Sequence, residues 1–339
     1  MTSKIKLKLK CQNIGETSLP TEKRGLLGVT GGAPGAPRPI LKWVGGKTQI
    51  LETLMDHFPH EMDNYHEIFL GGGSVLLAVL SHIQTGSIVV HHKIYASDIN
   101  RPLIAVYQNI QSHHQELYTA LQHHIEEMRN CPLTGLINRK PNTLDEAQVS
   151  QESYYYWLRK QYNQLSDVGK TTIEGSSLFI MLNKTCFRGL FRMGPNGFNV
   201  PYGHYKHPTI VTQEHLSSVH HLIQNVVFTC LDFNEAINRV QAGDFVYLDP
   251  PYVPCNQKSF VGYTEGGFTL EQHQQLFNRL TDHTNFRFLL SNADVKLVRD
   301  CFADPKFKVE IIVCQRTINS KNPAETTNEV LIGGAQLPQ

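Results

Sequence analysis

Short apolar runs of strand texture alternate with helical runs toward both ends of this chain, and a long polar block separates the two sets. No other feature limits the fold as tightly. Residues 65–70 read as a strand, 74–83 as a helix, and 88–90 or 94–96 as a second strand that ends at Asp98. Strand texture returns at 226–231, 245–248, 286–291, 309–314 and 330–333, with helical stretches at 233–240, 270–282 and 293–302 between most of them. Parallel strands need long crossovers, and helices supply them, so the pattern predicts an α/β fold with a mainly parallel sheet covered on both faces. One more helix is expected at 47–58, from the spacing of Ile50, Leu51, Leu54 and Phe58. Residues 101–225 show helical periodicity at 103–110 and 117–128, with a polar loop expected at 131–150, and read as a mainly helical insert in the sheet domain.

Charge narrows the function classes. The chain has 339 residues, 31 Lys+Arg against 30 Asp+Glu, and a net charge of +1, which excludes a globally basic nucleic-acid coat. The balance is uneven along the chain. Residues 1–38 hold seven basic residues and two acids, a local +5, and end in a Gly/Pro-rich stretch of linker composition. They read as a disordered basic tail, with 4–10 as a candidate nucleic-acid arm. Seven cysteines without a C-x-x-C pair argue against a secreted disulfide framework. No apolar run is long enough to span a bilayer and no signal peptide precedes the fold, so an intracellular, soluble protein is expected.

The strongest chemical signal is Asp249-Pro250-Pro251-Tyr252 directly after the apolar strand 245–248. In open α/β sheets ligands bind at the carboxyl ends of strands. Two successive prolines remove two N–H groups and stiffen the loop, leaving the Asp249 carboxylate and the Pro250 carbonyl as fixed acceptors. That pair suits an exocyclic amine, which offers two hydrogens, with the Tyr252 ring available for stacking on a base. An ordinary turn would also explain the prolines. A second strand runs into Phe69-Leu70-Gly71-Gly72-Gly73-Ser74, a loop through which a ligand could approach the backbone at a helix start. Leu76 stands where the dinucleotide fingerprint needs its last glycine. Asp98, in Ser97-Asp98-Ile99-Asn100, is placed to accept ribose hydroxyls or to cap the following helix. Lys42-Trp43-Val44-Gly45-Gly46-Lys47-Thr48 is not a P-loop, because Leu41 occupies the position of the first required glycine.

Taken in order, K-W-V-G-G-K, F-L-G-G-G-S, S-D-I-N, a helical insert and D-P-P-Y resemble the Dam-like, D12 class of N6-adenine DNA methyltransferases. Asn199-Val200-Pro201-Tyr202-Gly203, 267–272, Leu290-Ser291-Asn292 and 316–320 add local matches, so that the resemblance covers about residues 39–335. It implies a Rossmann-like class I S-adenosylmethionine-dependent methyltransferase sheet, formed by 39–100 and 226–337, with 101–225 as the inserted target-recognition domain. It implies that Trp43, Lys47, Phe69, Gly71, Gly73, Asp98, Asp232 and Asp249 surround the cofactor, and that Asp249, Pro250 and Tyr252 carry the transfer to a flipped-out adenine in duplex DNA. A helix cap would explain Asp232 equally well.

The insert holds an acid-free stretch, 176–213, with Lys184, Arg188, Arg192 and Lys206 among six aromatic residues. The region of Arg192 resembles the family's recognition hairpin, and an arginine there suits bidentate contact with guanine. Lys184, Arg188, Arg192, Asn199, Tyr202 and Lys206 are therefore the expected DNA contacts. Gly197 stands where the family commonly has Glu, which leaves the target sequence open. Double-stranded DNA is the expected partner, a restriction endonuclease reading the same site a candidate second one, and a monomer the expected state. The alternatives are methyl transfer to cytosine N4 or to RNA, and a non-catalytic DNA-binding module. The 17 histidines show no metal-ligand spacing; they are expected at the surface, with no metal site.

Overall fold

The structure is a computed structural model that describes residues 36–206, 208–254, 267–282, 285–315 and 326–334. The arm at 4–10, His207 and the match at 316–320 lie outside the described residues.

Seven strands form the central sheet: β1 (Tyr65–Ile68), β2 (Ile94–Asp98), β3 (Val226–Cys230), β4 (Phe245–Leu248), β5 (Arg287–Ala293), β6 (Phe307–Gln315) and β7 (Thr326–Gly334). Their order is β6-β7-β5-β4-β1-β2-β3. All the pairings from β5 to β3 are parallel, whereas β7 runs antiparallel to both β5 and β6. This is the sheet of a class I methyltransferase. Of the two candidates after the first helix, 94–96 lies in β2, while Val89–Val90 pairs only with Glu61–Met62 in a two-stranded ribbon. The sheet reaches further at β7 than the apolar run 330–333 indicates. Its polar first half holds strand geometry because it pairs with β6 residue for residue.

The helices are α1 (Leu51–Met55), α2 (Ser74–Gln84), α3 (Arg101–Asn130), α4 (Leu144–Ala147), α5 (Gln151–Gln164), α6 (Ile173–Thr185), α7 (Gln213–Leu222), α8 (Phe233–Ile237), α9 (Leu270–Asp282) and α10 (Lys296–Cys301). The helix expected over 47–58 shrinks to α1. Residues 48–50 form a turn instead, closed by Ile50 N–H donating to the Lys47 carbonyl at 2.9 Å, while the Lys47 side chain reaches the Gly45 carbonyl and Asp249. The two periodic stretches of the insert join into α3, with a break at His113 (φ −140°, ψ 36°). Pro102 in its first turn and the Asn100 side chain, which accepts from Leu103 N, fix its start.

Side-chain alternation along the strands sorts the interior into two cores. Phe245, Tyr247, Leu289 and Leu331 face one apolar cluster; Val246, Leu248, Leu290, Val330 and Ile332 face the other. The first continues without interruption into Leu117, Tyr155, Phe179 and Phe198 of the insert. The second lies under α8, α9 and α10. The first turns of α3 serve the sheet as much as the insert: Tyr107 stacks on Phe228 of β3 at 5.3 Å, and its hydroxyl donates to the Gly72 carbonyl. No helix among the described residues is long and apolar enough to cross a membrane.

Candidate active site

Strand order reverses between β1 and β4, and such a reversal opens a crevice at the carboxyl ends. A cavity of about 280 Å³ lies there. The ends of all four neighbouring strands reach it: Phe69 after β1, Asp98 at the end of β2, Asp232 beyond β3 and Asp249 after β4. Trp43, Gly71, Pro250 and Tyr252 complete the expected wall.

Asp249 is the most constrained group. Its Oδ2 pairs with Lys47 Nζ at 2.8 Å, and the same ammonium donates to the Gly45 carbonyl at 2.8 Å. Its Oδ1 is sealed from solvent and has no hydrogen-bond partner among the described residues. Burial pushes the carboxyl up to about 6; Lys47 and the nearby Tyr252 hydroxyl oppose that rise and Glu329 adds to it. A buried acceptor left without a donor costs about 1–3 kcal/mol, so an open Oδ1 is a place where a ligand donor gains more than it would in water. Lys47 itself stands behind Asp249 rather than on the wall, with its N–H bonded to Ser74 Oγ.

The glycine loop is shaped by what crosses it. Gly71 has φ +51°, and a Cβ there would lie 2.7 Å from Trp43 Cδ1; Gly73 has φ +68°, and a Cβ there would lie 2.7 Å from the Tyr107 hydroxyl. Gly71 thus serves the cavity wall, while Gly73 serves the packing of α3 beneath it. Phe69 also has positive φ, +71°, which for a bulky residue is a strained conformation worth about 1–3 kcal/mol. The strain turns its ring toward Phe233 and Phe268, at 5.9 and 5.7 Å, and the three rings form one apolar side of the cavity. Asp98 Oδ2 accepts from Gly71 N and Oδ1 from Asn100 N, so this acid ties the loop to the start of α3. Asp232 takes both of its expected parts: it caps α8 through Asn234 N, and it faces the cavity.

Glu67 was absent from the expected site. It is 2% exposed on β1, lines the cavity, and accepts from the Tyr65 hydroxyl at 2.7 Å. Burial raises its carboxyl to about 8, opposed by the Tyr65 and Leu76 bonds. Its neighbours in β1 include His66, so no local pattern in the sequence marks Glu67 as a site residue. Phe233, Phe268 and Gln272 are also wall residues that sequence reasoning did not select. Among the described residues the lining carries four acids and no Lys or Arg.

The insert divides its expected DNA residues. Arg188, Arg192, Asn199 and Lys206 are exposed, whereas Lys184 and Tyr202 are buried. Lys184 lies within α6, where desolvation lowers its ammonium to about 8. Tyr202 packs on Tyr155 at 5.4 Å. Phe179, Phe191 and Phe198 form the small core beneath them. Met193–Gly194 and Gly197–Phe198 pair as a hairpin, flanked by Arg192 and Asn199, whose side chains bond at 2.6 Å. Gly197 has φ +91°, and a Cβ there would meet Asn163 Oδ1 at 2.5 Å, so this position has no room for a side chain. Trp43 joins the two regions, stacking on Phe191 at 5.6 Å.

The expectation of surface histidines fails at His66, His124 and His273, which are buried. His66 is held there by Asp244 at 2.9 Å, and His273 by aromatic packing against Phe268. His123, His124 and Glu127 bring three ligand-type atoms within 4.8 Å. The Tyr154 hydroxyl donates to Glu127, and His124 Nε2 faces the Glu174 carboxylate at 3.5 Å.

A family model described as D12 class N6 adenine-specific DNA methyltransferase matches residues 43–318. Among curated proteins the chain is 34% identical to the Type II methyltransferase M.MjaIII of Methanocaldococcus jannaschii, over 84% of this chain and 93% of the relative. It is 30% identical to a DNA adenine methylase of Haemophilus influenzae, over 84% and 89% of the two chains. The identity with a DNA adenine methylase of Escherichia coli is 29%, over 84% and 90%.

Proposed function

The chain belongs to the D12 class of N6 adenine-specific DNA methyltransferases, and from that premise we propose which of its residues bind, hold and present the reactants. The observation that carries the proposal is the unpartnered, solvent-sealed Oδ1 of Asp249 beside the Pro250 carbonyl on the cavity wall. An adenine N6 amine offers one hydrogen to Asp249 Oδ1 and one to the Pro250 carbonyl. Holding both hydrogens draws the amine lone pair out of conjugation and aims it along one line. Lys47 keeps Asp249 in place and favours its ionised, accepting form. Tyr252 stacks on the base face. A paired adenine cannot present N6 in this way, so the base must leave the duplex and enter the cavity.

The wall fits S-adenosylmethionine as methyl donor. Asp98 and Asp232, with no cation among the described lining residues, favour a positively charged ligand, and the Phe69, Phe233 and Phe268 rings favour a flat aromatic one. Trp43, Gly71, Asp98 and Asp232 would hold it, with Lys47 and Gly73 acting from behind the wall. Bound there, it supplies a methyl group on a cationic sulfur, which makes transfer a matter of alignment rather than of protein-borne acid or base.

For DNA, the exposed Arg188, Arg192, Asn199 and Lys206 are the proposed contacts, and Lys184 and Tyr202 their structural support. Arg192 exchanges its Asn199 partner for a base edge on binding. Residues 101–225 serve as the recognition insert, 39–100 with 226–337 as the catalytic body, and 1–38 as a basic appendage. A cognate restriction endonuclease, a monomeric state and an intracellular site of action complete the proposal.

Labelled S-adenosylmethionine incubated with mixed duplex DNA tests the reading directly. Label is expected in N6-methyladenine after digestion. Label confined to cytosine, or none in spite of tight DNA binding, overturns it.

A further inference from the structure

The Asp249–Tyr252 loop is stiffened by its prolines, but prolines do not fix the plane of a tyrosine ring. Two neighbouring strands do so from the far side. The Tyr252 hydroxyl donates to Glu329 Oε2 of β7 at 2.7 Å, and Val253 N donates to Asn292 Oδ1 of β5 at 3.1 Å. Glu329 pairs in register with Ala293 and Val330 with Asn292, so the two anchors sit side by side at the carboxyl end of β5. On the inner side, Lys47 Nζ lies 4.9 Å from the Tyr252 ring centroid. The ring is therefore held between a cation that faces it and a carboxylate that grips its hydroxyl.

We propose that Glu329 is a positioning residue for methyl transfer, setting the plane of the Tyr252 ring and hence the angle at which a stacked base presents its amine to Asp249. The inference rests on the reading of Tyr252 as the stacking platform. A carboxylate is a costly choice here. It adds negative charge beside Asp249, which has Lys47 as its ammonium partner. A hydrogen bond to an ionised acceptor is shorter and stronger than one to a neutral amide, which is the gain that offsets this cost. Nothing in the pairing of β7 with β5 or β6 requires an acid at this position, because those ladders are made by the backbone.

The groups that face Asp249 are Lys47 before α1, Glu67 of β1, Tyr247 of β4, Tyr252 of its own loop and Glu329 of β7. Glu329 makes Asp249 easier to protonate, so removing its charge moves the acidic limb of the transfer rate to lower pH. A residue that only held β7 in place would not move that limb.

The test uses the full chain and a duplex bearing its mapped site. Single-turnover transfer at saturating S-adenosylmethionine is measured for Glu329→Ala, Glu329→Gln, Tyr252→Phe, Tyr252→Ala and the Glu329→Ala/Tyr252→Phe pair. Glu329→Ala should slow transfer about 10- to 100-fold, the scale of a small misplacement of reacting groups, with cofactor affinity unchanged. Tyr252→Phe should reproduce that loss, and the pair should be no slower than either alone. Glu329→Gln should lose less and shift the acidic limb downward. The inference is overturned if Glu329→Ala transfers at the parental rate, if its loss adds to that of Tyr252→Phe, or if the limb stays in place in Glu329→Gln. Should Glu329→Ala fail to fold, Glu329→Gln decides by its limb. Tyr252→Ala separates the two levels. Full transfer by that variant defeats the stacking reading itself, whereas its loss together with an unaffected Glu329→Ala defeats only the role of Glu329.

Discussion

The strand-end cavity and the Arg192 hairpin handle polar groups in opposite ways. Around the cavity, carboxylates are half-buried and held by backbone N–H groups or by one ammonium: Asp98 by Gly71 and Asn100, Asp249 by Lys47. On the hairpin, Arg192 is exposed and its bond to Asn199 is open to water. Transfer chemistry needs acceptors that do not reorganise, and low-dielectric burial makes them strong. Sequence reading needs donors that can leave one partner for another, and exposure makes that exchange cheap. The two regions meet at Trp43, which covers the glycine loop on one side and stacks on Phe191 of the insert on the other.

The comparison breaks first at Asp249. Asp249→Ala should lower transfer by about 10³-fold or more while DNA affinity stays within a few-fold, measured by single turnover and by equilibrium binding. Parallel loss of both would mean that the cavity and the reading surface are not separate. Next comes Lys47. In the parent, transfer should fall as pH drops through about 6, because a protonated Asp249 can no longer accept at both oxygens. Lys47 opposes that protonation, so Lys47→Met should slow transfer about 10- to 100-fold and move the acidic limb upward, read from a pH–rate profile. An unmoved limb would assign the titration to another group. Arg192→Ala should cost ~1–3 kcal/mol of discrimination at one base pair, with the single-turnover rate on its best site nearly intact. Methylation mapping checks it, and an unchanged site list would remove Arg192 from recognition.

The smallest expected effect sharpens the buried side. His273 is 1% exposed, both of its ring nitrogens lack partners, and burial lowers it to about 4. Between about 6.5 and 4 the unfolded chain binds the proton that the folded one refuses. Its contribution to stability is therefore complete above the unfolded value and lost as pH falls toward 4. His273→Leu should remove that loss and leave stability at neutral pH equal or higher by about 1 kcal/mol, measured by denaturant melts at pH 5 and 8. A variant that melts earlier at both values would show that the imidazole has a favourable role.

The fold was legible to the extent that it is local. Strand 245–248 reads from four apolar residues because both of its faces are buried, and the glycine loop reads because Gly71 and Gly73 need positive φ. The polar half of β7 did not read, since its strand geometry comes from pairing with β6. Among the site residues, Asp249, Asp98 and Asp232 read as acids at strand ends. Glu67 did not, because an acid in a strand carries no local mark of which way it points. Lys184 and Tyr202 share an acid-free stretch with Arg188 and Arg192, which gives no local sign of burial; α6 is buried on all sides from Gly175 to Thr185, and Lys184 goes inward with it.

By itself, then, the amino-acid order determined the reaction class and the element sequence: a strand that ends in Asp249-Pro250-Pro251-Tyr252 is chemistry and geometry in consecutive residues. Only the tertiary structure decided that Lys47 would be the partner of Asp249, that Glu67 would share its cavity and Glu329 grip the Tyr252 hydroxyl behind it, and that Arg192 rather than Lys184 would face outward. Those outcomes depend on strand order and on burial. Burial is a property of the packed whole, because the cost of an unpaired charge is set by every element that excludes water from it.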